Sequence, residues 1–154
     1  MPVDNLGNFQ NITYLANTGS TQPAAAADAI MTVPQNQYWI LYNFHFQFAT
    51  SATVATRSAA IQILDAAGNP VTEIGPGATT QTASQTNVYN YQVGANTVGA
   101  QGSIGTSGTP GTVVGSLPSS IALLAGWQIR TRIASLSSGD QLSAVSAAVE
   151  VYTR

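Results

Sequence analysis

The segment QYWILYNFHFQFA, residues 37–49, decides the fold class of this chain. Large apolar or aromatic side chains occupy every even-numbered position from Tyr38 to Phe48, whereas the odd-numbered positions are apolar at first and polar after Leu41. A period of two is typical of a β-strand with one buried face. We therefore expect one long strand whose even-numbered side chains point into the core.

The same period recurs along the rest of the chain. AAIQILD (59–65), the turn sequence AAGNP and VTEI together predict a β-hairpin. The segments TNVYNYQV (86–93), WQIRTRIASL (127–136) and LSAVSAAVEVYTR (142–154) also alternate apolar with polar residues, which predicts further strands. The side chains expected to form the core are Phe44, Phe46, Phe48, Ile61, Ile63, Trp127 and Val149.

About eight strands and no amphipathic helix predict an all-β fold, an antiparallel β-sandwich. Long connections favour a jelly roll over an immunoglobulin-like sandwich, whose Cys-Trp-Cys core is absent here. A turn near Asp140 is expected to place Arg130 opposite Glu150 on neighbouring strands.

Residues 1–26 predict an extended N-terminal arm and connector, followed by one sandwich domain over residues 27–154. Apolar side chains recur in the arm at every third residue, but Pro2, Gly7 and a missing helix cap argue against a helix. An isolated extended segment cannot bury these side chains against itself. We therefore expect them to contact a partner: Val3, Leu6, Phe9, Ile12 and Leu15.

The segment GAQGSIGTSGTPGTVVG (99–115) carries glycine at every third residue from 99 to 111. These five triplets contain one proline, too few imino acids for a collagen helix. A flexible interdomain linker is excluded because neither half of the chain has enough strands for its own core. We expect a long surface loop over residues 94–116, either solvated or touching a neighbouring subunit.

The amino-acid composition limits the kinds of partner that this protein can bind. Charged residues make up 6% of the 154 residues, against roughly 25% in ordinary domains, with four arginines, no lysine and no cysteine. Such a chain lacks the basic surface that nucleic-acid binding requires. The N-terminus has no secretory signal pattern, and no apolar stretch approaches the roughly 20 residues of a membrane helix. We expect a soluble protein with no nucleic-acid or membrane partner.

No catalytic or metal-binding motif is found. His45 is the single histidine, and we expect a half-exposed strand residue with an ordinary hydrogen bond. The six carboxylates are scattered, and those of Asp65 and Asp140 are expected to cap turns, although a glycosidase pair could still assemble in the fold. We therefore expect no catalytic residue, no cofactor and no metal. The aromatic residues open to an interface or ligand role are Trp39, Tyr89, Tyr91 and Tyr152.

Three segments, residues 38–71, 80–94 and 117–152, together resemble small structural proteins of tailed bacteriophages, including capsid decoration or cement proteins and related virion jelly rolls. From the first of these segments to the last, the resemblance spans residues 38–152, about three quarters of the chain. Its elements are the long aromatic strand, the pattern R-x-x-x-I-x-I-x-D-x-x-G-N (57–69) and the pattern L-x-x-G-W-x-I-R (123–130) before a Gly-Asp turn. These are structural rather than catalytic patterns.

The resemblance implies a non-enzymatic virion protein, made in the host cytoplasm without a signal peptide and carried on the outer surface of the capsid. Its expected partners are the major capsid protein and copies of itself, in a homotrimer. The alternative is a receptor- or carbohydrate-binding module of a fibre or tail tip. An enzyme such as a glycan depolymerase ranks third.

Overall fold

The computed structural model describes residues 13–16, 24–75, 80–95, 109–118 and 121–153. These residues form eleven strands and no helix, which confirms the all-β prediction. The strands are β1 (Thr13–Ala16), β2 (Ile30–Thr32), β3 (Gln37–Ala49), β4 (Arg57–Leu64), β5 (Pro70–Ile74), β6 (Thr80–Gln81), β7 (Thr86–Val93), β8 (Gly111–Leu117), β9 (Ile121–Leu123), β10 (Gln128–Ala134) and β11 (Gln141–Thr153).

The strands build two sheets that pack together as a sandwich. The six-stranded sheet has the order β1-β11-β3-β7-β8, with β9 also paired to β3. The five-stranded sheet has the order β2-β10-β4-β5, with β6 also paired to β4. Strands β3 and β11, each of 13 residues, run antiparallel along their whole length and form the centre of the larger sheet.

Two features of the strand arrangement differ from the sequence prediction. The described residues form eleven strands where about eight were expected for the chain, and β1, β2, β6 and β9 are too short to show a period in the sequence. Among the paired strands of the described residues, β7 and β8 run parallel, so the larger sheet is mixed rather than purely antiparallel. Parallel neighbours require a crossover connection between the end of the first strand and the start of the second.

Strand β8 begins inside the segment predicted as a loop over residues 94–116, so that prediction is wrong from Gly111 onward. In β8 the buried positions alternate, and Gly115 faces the core. A Cβ at Gly115 would stand 2.4 Å from Cδ1 of Tyr91, so only glycine lets this strand lie against the tyrosine ring. Gly115 therefore allows close packing of β8 against the Tyr91 ring of β7.

Aromatic rings fill the core between the sheets. Phe44, Phe46 and Phe48 are fully buried, and the Phe46 ring stacks on Tyr89 with centroids 5.0 Å apart. Ile61, Ile63 and Val149 are buried in the same cluster, as predicted, whereas Trp127 is only partly buried at its margin.

A β-bulge in β3 changes which side chains face the core at the start of the strand. Ala148 lies opposite Asn43 and Val149 lies opposite Leu41, so Tyr42 is an extra residue on β3. An extra residue shifts the inward-outward alternation by one position.

Because of this bulge, the predicted even-numbered core face is wrong for the first half of β3. Trp39 and Leu41 are buried, with exposed fractions of 4% and 0%. Tyr38, Ile40 and Tyr42 are half-buried and lie on the opposite face. The prediction holds again from Phe44 onward.

The predicted pairing of Arg130 with Glu150 is also wrong. Strand β10 pairs with β2 and β4, whereas β11 lies in the other sheet, so the turn between them connects the two layers. Arg130 instead donates a hydrogen bond to the Gln62 side chain. Glu150 lies opposite Ile40 on β3.

Candidate functional site

Most of the predicted partner-binding residues of the N-terminal arm, namely Val3, Leu6, Phe9 and Ile12, lie outside the described residues. Leu15 belongs to β1, which pairs antiparallel with β11, and it is in register with Ala147. The described part of the arm is therefore an extended strand whose backbone partner is the sandwich of the same chain.

Asp28, Asp65 and Glu73 hold local structure in place. Asp28 accepts hydrogen bonds from the Thr131 hydroxyl, at 3.1 Å, and from a backbone amide of β10. Asp65 accepts hydrogen bonds from the backbone amides of Ala67 and Asn69 in the β4–β5 turn, as predicted. Glu73 accepts a hydrogen bond of 2.8 Å from the Gln62 side chain.

Asp140 and Arg57 form a buried ion pair, with 2.9 Å between Nη2 and Oδ1. Arg57 Nε also donates to the second carboxylate oxygen, at 3.0 Å, which makes the pair bidentate. The Ser51 hydroxyl and backbone amide both donate to Asp140. Arg57, Asp140 and Ser51 are called the arginine clamp below.

The remaining donors of the clamp also have partners. Arg57 Nη1 donates to the carbonyl oxygens of Thr53 and Ala55, both at 2.9 Å. Asp140 accepts from the Ser137 amide, so it does cap the β10–β11 turn as predicted. The prediction missed the ion pair. One signal was available, because Arg57 shares the parity of the inward-facing Ile61 on β4.

His45 is half-buried on β3, and its Nδ1 donates to the carbonyl oxygen of Ala144 at 3.0 Å. Ala144 has φ 50° and lies in a second bulge, where Ala144 and Val145 on β11 occupy the space opposite Phe46. The histidine is thus the half-buried strand residue with an ordinary hydrogen bond that the sequence predicted. Its hydrogen bond to Ala144 stabilises this bulge.

Three tyrosines and one carboxylate cluster on the outer face of β3 and β11. The Tyr38 and Tyr152 rings stack with centroids 4.4 Å apart and planes within 5° of parallel. The Tyr42 hydroxyl donates to Glu150 Oε2 at 3.0 Å. Tyr38, Tyr42, Glu150 and Tyr152 are called the tyrosine patch.

The carboxylate of Glu150 changes the acidity of its neighbours. Its hydrogen bond raises the pKa of Tyr152 to about 12, because loss of the phenol proton would place a second negative charge beside the carboxylate. The same interaction raises the pKa of Tyr42 above its usual value.

The bulge at Tyr42 determines which aromatic side chains of β3 lie in the tyrosine patch. Of the four aromatic residues proposed as surface candidates, Trp39, Tyr89 and Tyr91 are buried in the core, and only Tyr152 lies on the surface. Tyr38, predicted to be a core residue, reaches the surface because the alternation before Tyr42 is reversed.

A cavity of about 180 Å³ adjoins Tyr38, lined by Gln35, Gln37, Tyr38, Leu124 and Ala125. It lies where β3 begins and β9 leads into β10.

Backbone hydrogen bonds hold the two walls of the cavity together. The Val33 amide donates to the Trp127 carbonyl oxygen at 2.9 Å, and the Gly126 amide donates to the Val33 carbonyl oxygen at 3.0 Å. Gly126 has φ +79°, a conformation that glycine adopts without strain, and it closes the turn after Leu124. The wall formed by Leu124 is therefore fixed against the wall formed by Gln35.

Within the described ranges, no group of three or more histidine, cysteine, aspartate or glutamate side chains could hold a metal ion. Among these same residues, none forms a helix long and apolar enough to cross a membrane. Comparisons with protein-family models, curated proteins and solved structures found no match for this chain. The fold and the site define a β-sandwich protein with a tyrosine patch and an adjoining cavity at one end.

Proposed function

We propose that this chain is a non-enzymatic structural protein of a tailed bacteriophage virion, specifically a capsid decoration protein that binds and reinforces the major capsid lattice. The proposal rests on the resemblance of residues 38–71, 80–94 and 117–152 to such proteins. The β-sandwich is compatible with the virion jelly rolls among them, and we include the jelly-roll topology in the proposal.

The proposal that the protein is not an enzyme is supported by the hydrogen bonds that its ionisable side chains make. Each carboxylate of the described residues, at positions 28, 65, 73, 140 and 150, accepts a hydrogen bond from a neighbouring side chain or backbone amide. The histidine fastens a bulge. A general acid or base requires a titratable group that is available to a substrate. The carboxylates at positions 28, 65, 73 and 140 instead hold the sandwich together, and that of Glu150 accepts the Tyr42 hydroxyl on its outer face.

The proposed partners are the major capsid protein and further copies of this chain, as a homotrimer on the outer surface of the capsid. The apolar residues of the arm, Val3, Leu6, Phe9 and Ile12, are the proposed anchors. Because β1 pairs with β11 of the same chain, Leu15 belongs at the junction between the arm and the sandwich. Binding of several arms at once would multiply a modest affinity per arm.

Deletion of residues 1–12, which leaves β1 in place, tests the anchor. We expect the truncated protein to keep its β-sheet circular dichroism and its unfolding midpoint but to lose co-sedimentation with particles. The matched control is Val54→Ala, a change at an exposed side chain of the β3–β4 connection, which should bind as the parent does. Unchanged particle binding by the truncated protein would refute the arm as anchor.

A receptor- or carbohydrate-binding module of a fibre or tail tip is the second candidate. The observation that favours it is the tyrosine patch beside the cavity. Cryo-electron microscopy of the particle separates the two candidates. Regular copies over the head support decoration, and a few copies at the tail support receptor binding.

A further inference from the structure

We propose that the cavity beside Tyr38 binds one unit of a neutral glycan, with the Tyr38 ring as its stacking surface and the amides of Gln35 and Gln37 as its hydrogen-bonding groups. This inference rests on the second candidate function, carbohydrate binding. Its failure would leave the decoration proposal unchanged, because decoration depends on the arm.

The register of the strands shows why the Tyr38 ring is available. Tyr38 lies opposite Tyr152 on β11, and the two rings stack. Strand β9 pairs with β3 at the other edge, at Trp39 to Leu41, and the cavity lies where β9 ends. Tyr152 therefore holds the Tyr38 ring from one side, while Tyr38 lines the cavity on the other.

The two glutamines supply donors and acceptors. Gln37 accepts a hydrogen bond from Trp39 Nε1 through Oε1, at 2.9 Å, which orients the side chain and leaves its NH₂ group to donate. Gln35 is exposed, and its side chain makes no hydrogen bond to the other described residues. Primary amides both donate and accept, as sugar hydroxyls do, so they suit a polyol.

The charges of the described residues around the cavity favour a neutral ligand over an anionic one. Within the described part of the chain, Arg57 is buried in its ion pair, and Arg130 and Arg132 lie on β10 in the other sheet. Among the described residues, the charged group nearest to Tyr38 in the strand register is the carboxylate of Glu150, on the same face of the sheet as Tyr152. A carboxylate repels anions and accepts hydrogen bonds from hydroxyl groups.

The size of the cavity, about 180 Å³, is below the roughly 300–1,000 Å³ of pockets for drug-sized ligands. One sugar unit is therefore the proposed occupant, with the rest of the glycan running over Tyr152. Affinity for a single unit would be weak, and a few copies bound together at one fibre or tail tip would strengthen it through multivalency.

The test is a ¹H–¹⁵N NMR titration of the full chain with three neutral oligosaccharides, namely cellohexaose, maltohexaose and chitohexaose, each to about 10 mM. We expect at least one to give saturable shifts at the amide of Tyr38, the side-chain amides of Gln35 and Gln37, and Leu124. For that oligosaccharide, Tyr38→Ala and Gln35→Ala should each weaken binding about tenfold or more.

The control is Val54→Ala, because Val54 is 93% exposed and lies beyond the opposite end of β3. It should bind as the parent does. If Tyr38→Ala unfolds, Gln35→Ala decides the outcome, since Gln35 is exposed and its loss leaves the core intact. Absence of saturable shifts with all three sugars would overturn the proposal, as would shifts that are unaffected by Gln35→Ala.

Discussion

The two ends of the sandwich use their polar side chains in opposite ways. At the end where β3 stops and β11 begins, the arginine clamp buries Arg57 and Asp140 completely. The donors of Arg57 are directed to Asp140, Ser51 or backbone carbonyls. At the other end, where β3 begins, the tyrosine patch and the glutamine-lined cavity lie at the surface.

The difference separates groups that stabilise the fold from groups available to a ligand. A buried charge is tolerated only when its hydrogen bonds are complete, and the clamp meets this condition. Half-exposed tyrosines and glutamines carry no such requirement, because water can satisfy them. Polar groups of the first end therefore hold loops together, and those of the second end are available for binding.

The largest effect is expected from breaking the clamp. Arg57→Ala leaves the Asp140 carboxylate buried without its charge partner, and we expect it to lower the free energy of unfolding by about 3–5 kcal/mol. Urea denaturation followed by circular dichroism measures this loss. Gln35→Ala, at the cavity end, is the matched control and should leave the urea midpoint unchanged.

The double variant Arg57→Met with Asp140→Leu sharpens the comparison. Removing both charges avoids the uncompensated carboxylate, so the double variant should be more stable than Arg57→Ala. If the urea midpoint of Arg57→Ala equals that of the parent, the arginine clamp does not stabilise this end of the sandwich.

The next largest loss of stability is expected from substitutions in β3 beside the bulge at Tyr42. Leu41 is fully buried and Ile40 is half-buried on the outer face. We expect Leu41→Ala to cost about 2–5 kcal/mol, and Ile40→Ala to cost about 1 kcal/mol or less. Thermal denaturation of the two variants compares them directly. The reverse order would mean that the even-numbered side chains face the core and that the bulge is absent.

The free energy of unfolding should also depend on pH, because of Asp140 in the arginine clamp. Burial raises the pKa of Asp140, but the hydrogen bonds from Ser51, Arg57 and Ser137 outweigh it, and the net pKa is lowered. Such a group stabilises the fold above its unfolded pKa of about 3.9, and this contribution is lost as pH falls through the folded pKa. The unfolding free energy of the parent should therefore decline more steeply below about pH 4 than that of Asp140→Asn. Equal slopes would contradict this assignment.

The smallest effect is spectroscopic and lies in the tyrosine patch. Glu150→Gln removes the negative charge that raises the pKa of Tyr152 to about 12, so this pKa should move toward the ordinary value of about 10. NMR of the tyrosine ring carbons during an alkaline titration measures it. Asp65→Asn, a change at a half-buried carboxylate in the turn after β4 of the other sheet, should leave the pKa of Tyr152 unchanged. A parental pKa in Glu150→Gln would contradict the assigned hydrogen bond.

Much of the fold could be predicted because alternation along a strand is a local property. The inward faces of β7, β10 and β11, the hairpin turn at Asp65 and the core phenylalanines from Phe44 onward all follow from a period of two and from turn chemistry. The surface position of Tyr152 follows from the same alternation.

By itself the sequence determined the all-β class, most of the buried residues and the low charge of the surface, because each depends on composition or on neighbouring residues. Only the tertiary structure decided the features that depend on pairing between distant segments. The Tyr42 bulge moves Tyr38 to the surface, where it meets Tyr152. The folding of β4 and the β10–β11 turn brings Arg57 to Asp140, 83 residues away in the chain. Strand partners are chosen by the packing of the whole sandwich, and a local period carries no information about them.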